Sequence, residues 1–274
     1  MPKGTPTGTP TMFWEGYSND RTLISGNEKG EQMNSLPKEQ LIVALDVDDL
    51  KQAERLVEQL VGYISTFKIG LQLFSNSGPE AIKMVKDRGG RVFLDLKFHD
   101  IPNTVAKASE ELVKLGVSIF NLHTLGGVKM MRKSASAARK KAKEVGLPPP
   151  LILGVTILTS IDERTLKEEL KIKRDVKGYV SYLSSLAKKA GLDGVVASAG
   201  EIKKIRKTLG EDFIILTPGI RPAGSRVDDQ KRVATPTEAI KAGANLIVVG
   251  RPIILASNPL RVVKNILKEL GNAQ

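Results

Sequence analysis

Residues 91–104 read RVFLDLKFHDIPNT, an apolar run that carries Asp95, Lys97 and Asp100 within six positions. Side chains in a β-strand alternate between two faces, so Asp95 and Lys97 share one face and lie about 6–7 Å apart. The apolar residues between them point to the opposite face. Charge on the inward face of a strand is costly unless it is paired. The stretch therefore predicts a buried strand with a reaction site at its C-terminal end.

The rest of the chain repeats the order of strand and helix that this stretch begins. Amphipathic stretches typical of helices, such as 50–60 and 105–115, separate short apolar runs. Apolar residues on both faces indicate the buried strands of a parallel sheet, and eight such strands predict a single-domain (β/α)8 TIM barrel. A doubly wound open sheet is the alternative, weakened because no G-x-G-x-x-G follows the first strand. The predicted strands are 41–46, 65–70, 92–97, 118–123, 151–156, 194–198, 213–217 and 246–250.

The first 32 residues differ from the remainder in composition. They are rich in Gly, Thr and Pro and show no sustained hydrophobic periodicity. We predict a flexible extension over residues 1–32, either vector-derived or added by an upstream start, and a barrel domain over residues 33–274. A functional arm that docks through Phe13 and Trp14 is the alternative for this segment.

The chain has 42 basic and 30 acidic residues, which give a formal net charge of +12. Nucleic-acid binding could account for this charge, but the basic residues are spread over many predicted helices and aromatic residues make up 4%. A basic surface, which also attracts an anionic phosphate ester, accounts for the charge better. The chain has no cysteine, no apolar run long enough to span a membrane, and no signal-peptide core near its start. These features predict a cytoplasmic protein that binds neither nucleic acid nor membrane.

Polar and charged residues stand at the C-terminal ends of the predicted strands, where barrel enzymes carry their catalytic groups. Taken singly, several of these residues could have a purely structural role. Asp46 could cap a helix that begins near Asp48, His123 could be a structural histidine, and Thr159 and Ser160 could be helix caps. Their convergence on one barrel mouth instead predicts an active site. The set comprises Asp46, Lys68, Asp95, Lys97, Asp100, His123, Thr159, Ser160, Pro218, Gly219, Arg221, Gly250 and Arg251.

The loops after the seventh and eighth strands predict a phosphate site, as in many barrels. Gly250 lets a phosphate approach the backbone, and Arg221 and Arg251 can donate charge-assisted hydrogen bonds to it. Gln230 lies in a long loop, residues 221–234, that could close over the ligand.

Seven short motifs follow one another between Leu41 and Leu270. They are A-L-D at 44–46, F-K-I-G at 67–70, D-x-K-x-x-D-I-P-N-T at 95–104, H-x-x-G-G at 123–127, L-T-S at 158–160, T-P-G-I-R at 217–221 and G-R-P-I at 250–253. In this order they resemble the bacterial type of the orotidine 5′-phosphate decarboxylase family. The core D-x-K-x-x-D is less specific, because related barrel enzymes that act on sugar phosphates share it.

The resemblance implies decarboxylation of orotidine 5′-phosphate to UMP and CO2, the last step of de novo UMP biosynthesis, without a cofactor or a metal ion. Lys97 would donate the proton to the C6 carbanion, within a charge network that includes Lys68, Asp95 and Asp100. The resemblance also implies a homodimer in which Asp100 reaches the neighbouring subunit's site. The implied substrate-binding residues are Asp46 and Lys68 at the ribose, Thr104 at the ribose across the interface, Thr159 at the pyrimidine, Arg221, Gln230, Gly250 and Arg251 at the phosphate, and Pro218.

A Mg²⁺-dependent sugar-phosphate decarboxylase or aldolase of the same barrel superfamily is the alternative function. Such enzymes resemble the Asp/Lys frame of the third strand. The I-P-N-T extension at 101–104 and the T-P-G-I-R motif at 217–221 argue against it.

Overall fold

The computed structural model describes residues 37–222 and 234–273. In this part of the chain, eight parallel strands close into a barrel in sequence order, because the first strand pairs with the eighth. The (β/α)8 prediction is therefore confirmed, and the open-sheet alternative is wrong. The strands are β1 (Leu41–Ala44), β2 (Thr66–Gly70), β3 (Arg91–Phe98), β4 (Ile119–His123), β5 (Leu151–Val155), β6 (Gly194–Val196), β7 (Ile214–Thr217) and β8 (Leu246–Val249).

Helices follow the strands and surround the barrel. The predicted helix over 50–60 has the bounds expected, whereas the helix predicted over 105–115 begins three residues earlier, with a proline in its first turn. The α-helices are α1 (Pro37–Gln40), α2 (Leu50–Leu60), α3 (Leu71–Ser77), α4 (Pro79–Asp87), α5 (Pro102–Lys114), α6 (Gly127–Val145), α7 (Val176–Ala190), α8 (Ile202–Leu209), α9 (Pro236–Lys241), α10 (Arg251–Ile254) and α11 (Pro259–Gly271).

Each strand divides its side chains between two apolar layers. Val43, Leu94 and Ile215 belong to the large buried cluster between the strands and the helices. Ala44 and Phe93, one position away, instead face the interior of the barrel and line a cavity there. The period of two predicted for these strands therefore decides which residues can meet a ligand.

The start of α2 is capped by Asp49, whose Oδ1 accepts a hydrogen bond from the backbone N–H of Gln52 at 2.8 Å. A capping role for Asp46 is thus wrong. Asp46 lies past the end of β1 and is directed to the barrel mouth, where it is available to other charged groups.

Two of the sequence-based predictions fall outside the described residues. The extension over 1–32 stays a prediction, and so does the place of Gln230. The two ends of the loop after β7 are held together, because the N–H of Arg221 donates to the carbonyl oxygen of Ala234 at 2.9 Å. No helix within 37–222 or 234–273 has the length and apolar character needed to cross a membrane.

Gly194 offers a test of the barrel's close strand packing. A Cβ at this position of β6 would overlap the backbone carbonyl of Ile214 on β7, which cannot move without breaking the sheet. We expect Gly194→Ala to lower the free energy of unfolding by about 3 kcal/mol, the upper range for overpacking a core. Gly62→Ala is the matched control: nothing lies within 4 Å of its added Cβ, so stability should change by less than about 1 kcal/mol. Urea denaturation of both variants measures the difference, and equal stabilities would contradict the described β6–β7 contact.

Candidate active site

A cavity of about 310 Å³ opens at the C-terminal ends of the strands. Inward-facing strand residues such as Phe93, Leu216 and Val248 form the apolar part of its wall. The polar part comes from most of the residues predicted from the sequence to form the active site. Those that line the cavity are Asp46, Lys68, Asp95, Lys97, Thr159, Pro218, Gly219, Arg221, Gly250 and Arg251.

Four charged side chains in this cavity form a chain of alternating sign. Lys68 Nζ lies 2.9 Å from Asp46 Oδ1 and 3.4 Å from Asp95 Oδ2. The other carboxylate oxygen of Asp95 lies 2.7 Å from Lys97 Nζ. Lys68 and Asp95 are both nearly buried, so their charges are tolerated because each has oppositely charged neighbours.

The register of β1, β2 and β3 explains how these charges meet. Lys68 stands opposite Ala44, so the space above Ala44 is left for Asp46. Asp95 stands opposite Gly70, and a Cβ at Gly70 would lie 2.8 Å from Lys68 Nζ and 3.0 Å from Asp46 Oδ1. The absence of a side chain at Gly70 therefore leaves the space in which the lysine bridges two carboxylates.

Burial, two lysines and an amide group together set the pKa of the Asp95 carboxyl group. Its burial acts to raise the pKa of its carboxyl group. The positive charges of Lys68 and Lys97, together with hydrogen bonds from Lys97 and Asn121, outweigh burial and lower the pKa below the ordinary value of 3.8. Asp95 is therefore an anion at neutral pH, and it holds the ammonium group of Lys97 on the cavity side of the barrel.

Lys97 has an uncommon backbone conformation, with φ at 52°. The left-handed region costs an L-residue about 1–2 kcal/mol. It occurs at a β-bulge: Leu94 pairs with Phe120, and the next pair is Phe98 with Leu122, so four steps along β3 match two along β4. The strand thus departs from regular geometry at the lysine that the sequence predicts to be catalytic, and backbone strain of this kind clusters at functional sites.

Asn121 on β4 was not among the residues predicted from the sequence. It is 2% exposed, its Oδ1 accepts a hydrogen bond from the N–H of Lys97 at 2.8 Å, and its Nδ2 donates to Asp95 Oδ1 at 2.7 Å. A polar residue at an inward position of an otherwise apolar strand, IFNLH at 119–123, was the available signal.

The part of the barrel mouth that follows β7 and β8 carries the arginines predicted to bind phosphate. Arg221 is 7% exposed, and its Nη1 donates to the carbonyl oxygen of Ile220 at 3.2 Å. Gly250 precedes α10 and Arg251 begins it, and both residues line the cavity. A Cβ at Gly250 would lie 3.4 Å from the Cβ of Ala44, so the glycine leaves the backbone accessible without being required by packing.

Four predicted site residues that the structure describes, Asp100, Thr104, His123 and Ser160, do not line the cavity of their own chain. Asp100 is exposed beyond β3, and its Oδ1 accepts a hydrogen bond from the N–H of Ile101 at 2.6 Å. Thr104, in the first turn of α5, is also exposed. Ile101, which follows Asp100 in the sequence, is 68% exposed, and Leu125, which follows His123 by two residues, is 44% exposed.

His99 and His123, the two histidines of the protein, lie next to each other and close to the charged side chains of the cavity. The ring centroids of His99 and His123 are 5.4 Å apart. Burial, and then the neighbouring His99 and Lys97, lower the pKa of His123 below its ordinary value of 6.5, so its imidazole is neutral at pH 7. Its Nδ1 is buried and finds no hydrogen-bond partner among the described residues. His123 does not line the cavity, which agrees with a structural role for this residue.

Across 37–222 and 234–273, no group of three or more His, Cys, Asp or Glu residues is arranged so that it could hold a metal ion.

Comparisons with known proteins identify the family of the chain. Residues 39–266 match the model of the family described as "Orotidine 5′-phosphate decarboxylase / HUMPS family". The chain belongs to this family. Among its relatives, the orotidine 5′-phosphate decarboxylase of Moorella thermoacetica is 50% identical over 240 residues, which cover 88% of this chain and 95% of the relative. The enzyme of that name from Syntrophotalea carbinolica is 50% identical over 236 residues, with 86% and 96% covered.

Solved structures of the family share the fold. The crystal structure of orotidine 5′-phosphate decarboxylase from Lactobacillus acidophilus superimposes with a TM-score of 0.75 at 38% identity, and the match covers 85% of this chain and 99% of that one. The corresponding protein from Pyrococcus horikoshii gives a TM-score of 0.65 at 26% identity, over 84% and 99%. The family's barrel therefore accounts for nearly the full length of these structures.

His123 leads to a prediction about stability and pH. Its folded-state pKa is lowered, so as pH falls below about 6.5 the unfolded chain takes up a proton that the folded chain resists. Its contribution to stability is therefore complete above that pH and is lost as pH falls through the lowered folded pKa. We expect His123→Asn to lose less stability than the wild type between pH 7 and pH 5, as measured by urea denaturation at both values. Identical losses in the two proteins would contradict the assignment.

Proposed function

We propose that this protein is an enzyme that decarboxylates orotidine 5′-phosphate to UMP and CO2, the last step of de novo pyrimidine biosynthesis. The observation that carries the proposal is the chain of Asp46, Lys68, Asp95 and Lys97 in a cavity that two arginines also line. Family membership and relatives of this name at 50% identity support the same reaction.

The chemistry explains why a lysine is needed at this point. When the bond from C6 to the carboxylate breaks, the electron pair stays on C6 in the plane of the ring, where ring resonance gives little help. Many decarboxylases draw such electrons into a cofactor. Here the ammonium group of Lys97 would lie beside C6, stabilise the developing negative charge and then transfer a proton from Nζ to C6. CO2 leaves, UMP forms, and Lys97 regains its proton from water.

Asp95 supports this role through the 2.7 Å ion pair with Lys97 Nζ. Its lowered pKa keeps it an anion over the range in which the enzyme would work. Lys68 holds the second oxygen of Asp95, so the carboxylate cannot turn away from Lys97. The lysine that transfers the proton is thereby placed before the substrate arrives, which lowers the cost of organising charge in the transition state.

The substrate-binding residues follow the chemistry of the ligand. We assign the phosphate to Arg221, Gly250 and Arg251, because guanidinium groups and an accessible backbone are suited to a dianion. Gln230 belongs to the same assignment from the sequence. Asp46 and Lys68 would contact the ribose hydroxyls. Thr159 and Pro218 would contact the pyrimidine ring. All four residues line the cavity.

We also propose a homodimer with active sites shared between subunits. Asp100 and Thr104 do not line their own cavity, and large apolar side chains, Ile101 and Leu125, are exposed nearby. The His99–His123 contact joins the two loops that carry these apolar residues. A second copy that covers them would bury apolar surface and bring its Asp100 and Thr104 to the neighbouring site. A cytoplasmic location is part of the same proposal and agrees with a chain that lacks cysteine.

A Mg²⁺-dependent sugar-phosphate decarboxylase or aldolase is not favoured, because the curated relatives described above carry the orotidine 5′-phosphate decarboxylase name. The two functions differ in a simple measurement. The proposed enzyme should consume orotidine 5′-phosphate, followed by its absorbance, at the same rate before and after dialysis against EDTA.

Lys97→Ala tests the proton donor. We expect kcat to fall by about 10²–10⁴-fold or more, because the variant loses both the proton and the charge beside C6. Binding of UMP, measured by calorimetry, should persist, because the residues assigned to the phosphate are unchanged. Lys83→Ala is the matched control, since Lys83 pairs with Asp87 on the exposed face of α4 and should leave kcat unchanged. A Lys97→Ala variant with near wild-type kcat would remove the central assignment.

Subunit complementation tests the shared site. Lys97→Ala and Asp100→Asn chains should each form nearly inactive homodimers. In mixed dimers, isolated by a different tag on each chain, one site combines Lys97 of one subunit with Asp100 of the other. These dimers should recover roughly half of the wild-type kcat per dimer, since one of two symmetric sites is complete. Mixed dimers no more active than the two homodimers would show that Asp100 does not serve the neighbouring site.

A further inference from the structure

Asn121, on the neighbouring strand β4, forms hydrogen bonds with both Lys97 and Asp95. Its amide bridges the bulge between β3 and β4, as acceptor for the backbone of Lys97 and as donor to the carboxylate of Asp95. It lies outside the motifs that carry the family resemblance, between I-P-N-T at 101–104 and H-x-x-G-G at 123–127.

The bulge leaves the backbone N–H of Lys97 without its regular partner on β4, and Asn121 provides a replacement acceptor. Because four steps along β3 match two along β4, the N–H of Lys97 cannot pair with a backbone carbonyl of β4 in the regular ladder. The Oδ1 of Asn121 takes the place of that carbonyl at 2.8 Å. An apolar residue here would leave a partly buried N–H unsatisfied, and the left-handed conformation of Lys97 would lose a direct restraint.

The second hydrogen bond of Asn121 fixes Asp95. Asp95 Oδ1 receives both Lys97 Nζ and Asn121 Nδ2, each at 2.7 Å, while Oδ2 faces Lys68. One amide group therefore sets the backbone of Lys97 and the carboxylate that its side chain reaches. Asn121 on β4 therefore restrains Lys97 at both ends: it binds the main-chain N–H directly, and it holds the carboxylate that binds the ammonium group.

We propose that Asn121 is the positioning residue that holds Lys97 in its left-handed conformation and aims its ammonium group at the reacting carbon, an inference that rests on the proposed decarboxylation. Asn121 acts through Lys97 and Asp95, so its loss affects the chemical step more than ligand binding. The left-handed conformation itself depends on the amide of Asn121.

Kinetics provide the first test. Asn121→Ala should lower kcat by about 10- to 100-fold, the range expected when a reacting group is displaced by about 1 Å, and should leave the Kd of UMP close to that of the wild type. Asn245→Ala is the matched control. Asn245 Oδ1 also accepts a neighbouring strand's backbone N–H, that of Ile215, but Asn245 does not line the cavity. This control should lose stability and keep its kcat.

Thermal denaturation provides a second test that needs no activity. Glycine tolerates a left-handed φ, whereas in a regular strand glycine is less stable than alanine. With Asn121 present, Lys97→Gly should therefore melt at a higher temperature than Lys97→Ala. In the Asn121→Ala background residue 97 is free to relax, and the order of the two melting temperatures should invert.

Each result has a definite meaning. An unchanged kcat in Asn121→Ala, an equal loss in Asn245→Ala, or a UMP Kd that rises as much as kcat falls would each overturn the positioning role. The positioning role would also be overturned if Lys97→Gly and Lys97→Ala kept the same order of melting temperatures with Asn121 present and in the Asn121→Ala background. If the wild-type protein does not turn over orotidine 5′-phosphate, the proposed function fails, while the melting comparison still decides whether Asn121 holds Lys97.

Discussion

The candidate active site depends on one electrostatic constraint: Asp95 is nearly buried and must remain charged. Burial alone would favour its neutral form, and two lysines with an amide donor reverse that preference. Neither lysine can be removed without leaving a buried carboxylate short of a partner, which is a costly state in a protein interior. The same constraint makes the site useful, because it fixes the ammonium group of Lys97 before any ligand binds.

The barrel supplies the geometry that this constraint requires. The registers of β1, β2 and β3 set Lys68 opposite Ala44 and Asp95 opposite Gly70, and the absence of a side chain at Gly70 leaves the space in which Lys68 reaches both Asp46 and Asp95. The bulge between β3 and β4 then turns Lys97 out of the regular pleat. Rigid strands therefore hold the charges, while the residues assigned to the phosphate follow β7 and β8, where barrels commonly bind that group.

Periodicity explains how much could be predicted from the sequence. Apolar runs alternating with amphipathic stretches favour a barrel over an open sheet, and charged residues within or just after an apolar run are visible in the sequence, as with Lys68 in β2 and Asp46 after β1. Asn121 was visible as a polar residue in an apolar strand, but its contacts and the left-handed backbone of Lys97 were not predictable, because both depend on the mismatch between β3 and β4. The position of Asp100 relative to a site depends on a second chain, so its role remains a prediction.

A crystal structure of the protein with UMP bound would show directly whether Lys97 lies beside the reacting carbon. We predict Lys97 Nζ at about 3–3.5 Å from C6 of the pyrimidine, the distance of a group poised to transfer a proton. We also predict the phosphate between Arg221 and Arg251, with the Asp46–Lys68–Asp95–Lys97 chain intact. A UMP molecule whose C6 faces away from Lys97, or whose phosphate lies outside the loops that follow β7 and β8, would contradict the proposed mechanism.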